Sequence, residues 1–456
     1  MKKIIIRNGH VIDPACGRDG IGDVFICDGK ISDPDPLNEN GAEILDASGK
    51  LVCPGFVDIH MHEDPVDADG RIEYKEKTSI FGCMLRMGVT TAIGGNCGES
   101  KYHPADYLDI ADEFGAPVNI GMLAAHEYFR VRSGCTDKYA PATPAQKAWT
   151  AAEMTKCVER GCLGVSYGIR YVPGTDAAEI RETAAGCAAL GGLAAAHIRD
   201  DAKAVFSALE EYLGAVLPLK MPVQISHIGS MAGFGQMKEF LALLEKYREQ
   251  NPDIACDCYP YDAFCTGIGS ACYDEGWLNR YDCGYDVLEI AEGEFRGQRC
   301  TEELFRKIRK DFPDYKTICH VMDADDVKLA FSDPYVMLGS DGTLSSGQGH
   351  PRAAGAFPRF LSQYVREGVV SRYEAVRKMT LLPAERLGLK SKGRLTPGAD
   401  ADVVILDPEK LRDTATFEDP IAVPEGIDRV ILGGETVCLE GKILQPRAGR
   451  SVRLGR

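Results

Sequence analysis

The chain has 456 residues, 45% hydrophobic and 26% charged, enough for one large core and a smaller one. Its 52 Lys and Arg against 68 Asp and Glu give a formal charge of -16, which repels phosphate backbones and excludes nucleic acid as a partner. No apolar run approaches the roughly 20 residues of a membrane span, and Lys3-Ile4-Ile5-Ile6 is too short for a signal-peptide core; the expectation is a cytoplasmic protein whose 17 cysteines stay reduced.

In chain order, Ile4-Ile5-Ile6, Asp23-Val24-Phe25-Ile26 and Glu43-Ile44-Leu45-Asp46 read as short strands between Gly, Asp, Asn and Pro punctuation. They are too few to make a domain alone. Strands of the same style recur at Ala401 to Leu406, Val430 to Gly434 and Thr436 to Leu439. The two ends are therefore expected to meet in a small β-sandwich domain, residues 1–53 and 391–456, with residues 54–390 inserted between them.

The inserted part alternates strands and helices. Strands are expected at Val57 to His62, Thr91 to Cys97, Val118 to His126, Leu163 to Ile169, Leu193 to His197, Val223 to His227, Ile254 to Tyr259 and Tyr335 to Ser340. Helices with apolar residues at three- and four-residue spacing are expected at 105–114, 144–160, 176–190, 201–217 and 235–248. Eight strands, most followed by a helix, predict an α/β fold of the (β/α)8 TIM-like barrel type. The polar stretch at about 273–326 is longer than one connection needs and reads as an insertion between strands seven and eight, a lid over the site.

Strand ends in such a barrel converge on the active site. The first expected strand carries His60 and His62, two apart and so on one face. The others place Cys97, His197, His227 and Asp341 at or near strand ends. Singly, each has an ordinary role: a hydrogen-bonded core histidine, a buried small thiol, a turn aspartate. Together, imidazole, thiolate and carboxylate at strand ends make a set suited to zinc.

Around these residues the chain resembles the amidohydrolase superfamily, and within it the D-aminoacylases or N-acyl-D-amino-acid deacylases. The resemblance is carried by Pro54-Gly55-Phe56-Val57-Asp58-Ile59-His60-Met61-His62, Gly95-Asn96-Cys97-Gly98, Ala196-His197-Ile198-Arg199-Asp200, Gln224-Ile225-Ser226-His227, Asp257-Cys258-Tyr259-Pro260-Tyr261, Gly339-Ser340-Asp341-Gly342 and His350-Pro351-Arg352. It implies a tight zinc site at Cys97, His197 and His227, and a second, weaker site at His60, His62 and Asp341 that Cys97 bridges; whether one or two metals bind is open. It implies Asp341 as general base, passing a proton from a zinc-activated water to the departing amine. It further implies Arg352 as a clamp on the substrate α-carboxylate, Tyr259 and Tyr261 as supports for the carbonyl or carboxylate, and Arg199 as an orienting cation with Asp200 beside it. The substrate is then an N-acyl-D-amino acid.

One departure stands out. Where such deacylases often carry a lysine two residues after the strand-six histidine, this chain has Gly229. The role of the polar pair His126-Glu127 is open. The rival is a cyclic amidohydrolase of the dihydroorotase or hydantoinase kind, which bridges two metals with a carboxylated lysine on strand four; Leu163 to Ile169 contains no lysine. A barrel without activity would be expected to lack ligands, and all six positions are filled.

Overall fold

A computed structural model describes residues 2–34 and 40–455. Eight parallel strands follow one another around a barrel in sequence order: Phe56–Asp58, Val89–Gly94, Asn119–Ala125, Gly164–Gly168, Leu193–His197, Val223–Ile225, Ile254–Cys258 and Val336–Leu338. Every residue in them is buried, as helices on the outside and packed side chains on the inside require. Val57, Ile93, Leu123, Ala195, Ala255 and Met337 share one interior cluster, which Leu387, Leu389 and Val452 join. The chain's last segment thus packs against the barrel: Gly449 bridges Ala116 and Ser451 bridges Ile120.

Closure happens at the mouth. Met61 forms a parallel bridge to Gly342, the His62 N–H donates to the Gly342 carbonyl at 2.9 Å, and the Asp341 N–H to the His60 carbonyl at 2.7 Å. The first and last strands, 279 positions apart at His62 and Asp341, are stitched together there.

The two chain ends build a separate sheet of nine strands around its own core of Ile4, Ile6, Val24, Ile26, Val52, Val403 and Ile405. They meet where Leu51–Pro54 pairs antiparallel with Val403–Leu406, Cys53 opposite Val404. The sheet also curls, so that the Ala401 N–H donates to the Gly29 carbonyl at 2.9 Å. Beyond strand seven the chain makes a three-stranded antiparallel sheet, Phe264–Gly267, Lys316–Cys319 and Leu288–Ile290, earlier in its start than the polar stretch suggests. All 17 cysteines are free thiols. No helix among the described residues is long and apolar enough to cross a membrane.

Candidate metal centre

Apart from Leu193–His197, the expected strands are longer than the observed ones, and the difference makes the site. His197 alone of the six ends a ladder. The rest lie in the turns just beyond, and three of those turns use left-handed backbone: Cys97 at φ 54, His227 at φ 33 and Asp341 at φ 49. Such geometry costs about 1 to 3 kcal/mol per non-glycine residue; here it swings side chains from the barrel wall over its mouth. The Cys97 turn is framed by Gly95 and Gly98. A Cβ on Gly95 would stand 2.3 Å from the Leu123 carbonyl oxygen, and one on Gly98 2.7 Å from the Gly168 nitrogen. Asn96 Nδ2 clamps the Ile59 and Ile93 carbonyls at 3.3 and 2.9 Å, so this turn also locks strands one and two together.

All six expected ligands come together. The ligand atoms of Cys97, His197 and His227 lie within 4.8 Å of one another, as do those of His60, His62 and Cys97. Cys97 Sγ is 3.4 Å from His60 Nε2 and 3.4 Å from His227 Nε2. Asp341 Oδ1 completes the second group, 3.2 Å from His62 Nε2 and 3.6 Å from His60 Nε2. Tetrahedral donors at zinc bond lengths of roughly 2.0 to 2.3 Å stand about 3.5 Å apart. Two overlapping donor sets sharing a thiolate therefore fit one or two zinc ions, on spacing and on donor chemistry.

Burial opposes ionisation of Cys97, but His60 and His227 outweigh it and hold the thiol well below its ordinary range. Burial, then the charge of His227, brings His197 down to about 4, leaving the neutral imidazole a metal needs. Burial likewise opposes Asp341 ionisation, and Arg352 overrides it. The Arg352 Nη2 to Asp341 Oδ2 distance is 2.9 Å.

Several supporting residues carry no role in the sequence reading. Asp257, within the buried strand Ile254–Cys258, accepts from the His227 N–H at 2.8 Å and from Gln224 Nε2 at 2.9 Å, and lies 3.1 Å from His60 Nδ1. A lone carboxylate inside a buried strand was the available signal. Ser230 Oγ lies 2.9 Å from His227 Nδ1. His350 Nδ1 accepts from the Arg352 N–H at 3.0 Å while Nε2 donates to the Ala263 carbonyl at 3.1 Å, which fixes the tautomer and the start of the Arg352 helix.

Among the expected substrate residues, Arg352 is 2% exposed, and its Nε and Nη1 have no hydrogen-bond partner. Its guanidinium lies 4.5 Å from the centre of the Tyr259 ring, so Tyr259 reaches the site as a platform. Two expectations need correction. Every nitrogen of the Arg199 guanidinium is bound elsewhere, to Glu211 and to the Pro173 and Thr175 carbonyls, because the strand stops at His197 and the chain turns away. Asp200 pairs with Arg170 at 2.9 Å instead. The Tyr261 hydroxyl donates to Asp413 at 2.7 Å and its ring stacks under Arg359, so it braces the outer end of the Arg352 helix. At Gly229 a side chain would crowd the strand-seven thiol, its Cβ standing 2.9 Å from Cys258 Sγ. His126 belongs to a buried polar triad, Nε2 at 3.0 Å and Arg130 Nε at 2.9 Å from Glu179 Oε1. Its neighbour Glu127 faces a cleft of about 840 Å³ that opens beside His62, with Glu99, Lys101 and Lys316 also on its walls.

Comparison with known proteins agrees with this geometry. Residues 299–438 match the model of the "Amidohydrolase family". The chain is 31% identical to an N-acyl-D-glutamate deacylase of Alcaligenes xylosoxydans xylosoxydans, over 99% of this chain and 96% of that protein. It is 30% identical to a D-aminoacylase of the same organism, over 98% and 96% respectively. The crystal structure of an N-acyl-D-glutamate deacylase from Bordetella bronchiseptica, complexed with zinc and a phosphonate mimic of the tetrahedral intermediate, superposes with a TM-score of 0.87 at 28% identity, covering 99% of this chain and 100% of that one. With a thiolate shared between two imidazole sets at the mouth of its barrel, the chain belongs to the D-aminoacylase (N-acyl-D-amino-acid deacylase) family of amidohydrolases.

Proposed function

We propose that this protein is a zinc-dependent hydrolase that releases D-amino acids from N-acyl-D-amino acids. The observation that carries it is the position of Asp341: held by Arg352 on one oxygen, it turns the other toward His60 and His62, beside the Cys97, His197 and His227 set. Cys97, His197 and His227 would hold the tight zinc, and His60, His62 and Asp341, with Cys97, the weaker one. Zinc, when bound, polarises an amide carbonyl and makes water acidic near neutral pH.

The rest is the work of side chains. Arg352 offers buried, unpartnered N–H groups on Nε and Nη1 to the substrate α-carboxylate, with the Tyr259 ring beside the guanidinium. Asp341, kept ionised by that same arginine, takes a proton from the attacking water as the carbon–oxygen bond forms. It hands the proton to the amide nitrogen as the carbon–nitrogen bond breaks, so the amino acid leaves as an amine and the acyl group as a carboxylic acid. The D configuration is taken from the relatives. Free thiols throughout support the cytoplasm as the place of action. A ring-opening role is disfavoured because strand four, Gly164–Gly168, has no lysine to carboxylate.

The test is direct. Zinc-loaded protein is incubated with paired N-acetyl-D- and N-acetyl-L-amino acids, dihydroorotate and hydantoins, and released amine or ring opening is followed. Hydrolysis of the D-compounds is expected; turnover of only the cyclic amides would overturn the proposal.

A further inference from the structure

The cleft of about 840 Å³ beside His62 is far larger than an acetyl group needs, and its walls are charged. Seven carboxylates and three lysines line it, with little apolar surface beyond Pro65, Tyr315 and Leu344. Three of the carboxylates are matched. Glu63 accepts from the Gly95 and Lys101 N–H groups and the Ser100 hydroxyl, Asp64 from the Ser79 hydroxyl, and Glu73 pairs with Lys75.

Glu99 and Glu127 are not. No hydrogen bond or ion pair from a described residue reaches either carboxylate, and the two stand close enough for the charge of Glu99 to act on Glu127. The cations near Glu127 are committed elsewhere: Arg130 to Glu179 and to the Asp137 and Ala140 carbonyls, Lys138 to the Gly269 carbonyl at 3.2 Å. Glu292, on the part of the wall that the insertion contributes, is 7% exposed. Ser345 and Lys316 act on its carboxylate, and still Oε1 has no partner. The cleft is a concave surface of acceptors with too few donors, which a ligand bearing positive charge would complete.

Position decides which half of the substrate brings that charge. Glu99 lies two residues past Cys97, which keeps its Cα within about 7 Å of that of the shared ligand. Tyr171, its ring edge-on to His197 with centres 4.6 Å apart, feels the charges of Cys97, Asp341 and Glu99 together. Glu99 therefore stands at the inner end of the cleft, beside the ligand cluster. Arg352, which holds the α-carboxylate of the amino-acid half, is not on the cleft wall; the acyl half is the one that points into it. An ammonium on the first carbon of the acyl group is only about 2.5 Å from the carbonyl carbon, so it stays at the depth of Glu99.

We propose that the acyl group this enzyme accepts best is an aminoacyl group, its ammonium held between Glu99 and Glu127, so that dipeptides ending in a D-residue are cut to two amino acids. The assignment rests on the deacylase reading above. Water adds across the peptide bond, its hydroxyl to the carbonyl carbon and its proton to the departing nitrogen. An aliphatic acyl group leaves both carboxylates unmatched, and an anionic one such as succinyl adds charge of the same sign.

The experiment holds the D-residue constant and changes the acyl group. It compares kcat/KM of the zinc-loaded enzyme at neutral pH for glycyl-, propionyl- and succinyl-D-methionine, propionyl being glycyl with a methyl in place of the ammonium. Glycyl is expected to lead propionyl by at least about tenfold, with succinyl slowest. Glu127→Gln and Glu99→Gln should each remove roughly tenfold or more on glycyl and less than about threefold on propionyl. Propionyl equal to or better than glycyl in the wild type, or a glycyl-to-propionyl ratio unchanged in both variants, would overturn the assignment. So would a lead of acetyl-D-lysine over acetyl-D-methionine without one of glycyl over propionyl, which would put the cation on the other half. Hydrolysis of propionyl-D-methionine without preference for glycyl counts against the aminoacyl subsite alone; turnover of none of these by protein that binds zinc overturns the deacylase reading and the subsite with it.

Discussion

Asp402 and Asp341 are both buried carboxylates at a junction between distant parts of the chain, 3% and 7% exposed. Asp402 sits where the sheet domain meets the barrel, and each of its oxygens is met by donors: Lys392 Nζ at 2.7 Å and Asn119 Nδ2 at 3.2 Å on one, the Gly433 N–H at 2.8 Å on the other. Asp341 sits where the barrel closes: Arg352 meets one of its oxygens, but the other faces groups that also offer lone pairs, two imidazoles and, through them, a thiolate. A joint matches donors to acceptors. The mouth gathers acceptors, an arrangement that is stable only with protons or a cation between them, and it does so on backbone that is itself strained at Cys97, His227 and Asp341. Saturated polar clusters hold the fold; unsaturated ones mark chemistry.

That contrast can be broken by mutation. The largest effect is expected from Cys97→Ala, which removes the ligand both donor sets share: activity should fall by more than about a thousandfold together with zinc content, while the melting temperature of metal-free protein barely moves. Zinc analysis beside kinetics checks this, and a stable, zinc-replete, active variant would erase the distinction. Asp341→Asn keeps the shape and loses the base, so kcat should drop roughly 10²- to 10⁴-fold with zinc at the Cys97, His197 and His227 set retained.

Asp402→Ala should do the reverse. Lys392 keeps Asp400 at 3.0 Å, but Asn119 and the Gly433 N–H lose their acceptor, which costs about 1 to 3 kcal/mol, seen as a lower midpoint in urea, with kcat of the folded fraction unchanged. A smaller effect sharpens the picture at the cleft. Burial raises Glu127 to about 7, so the folded state binds its proton more tightly than the unfolded chain. The associated stability is present below pH 4.5 and lost as pH rises through 7. Glu127→Gln should therefore stabilise the protein by about 1 to 3 kcal/mol at pH 8, with the gain vanishing below about pH 4.5 in thermal melts across pH.

The barrel and the ligand set were legible because both repeat. Apolar strands alternate with amphipathic helices, and metal-ligand types recur at strand ends, so each occurrence supports the others. What failed was extrapolation along a strand. Arg199 would share the face of His197 if pairing continued, but the ladder ends at His197 and the arginine folds back onto Glu211. Tyr261 lies three residues past the end of Ile254–Cys258, where period two no longer holds, and it finds Asp413 from the far end of the chain. Asp257 and His350 were visible as residues but not as roles, since what each orients is set by contacts 30 and 87 positions away.

X-ray absorption at the zinc edge tests the central claim most directly. The wild type should show one sulfur scatterer at about 2.3 Å with nitrogen or oxygen at about 2.0 to 2.1 Å, and Cys97→Ser should lose the sulfur shell. A wild-type spectrum with nitrogen and oxygen alone, or a sulfur shell that survives Cys97→Ser, would contradict a metal centre built on that thiolate.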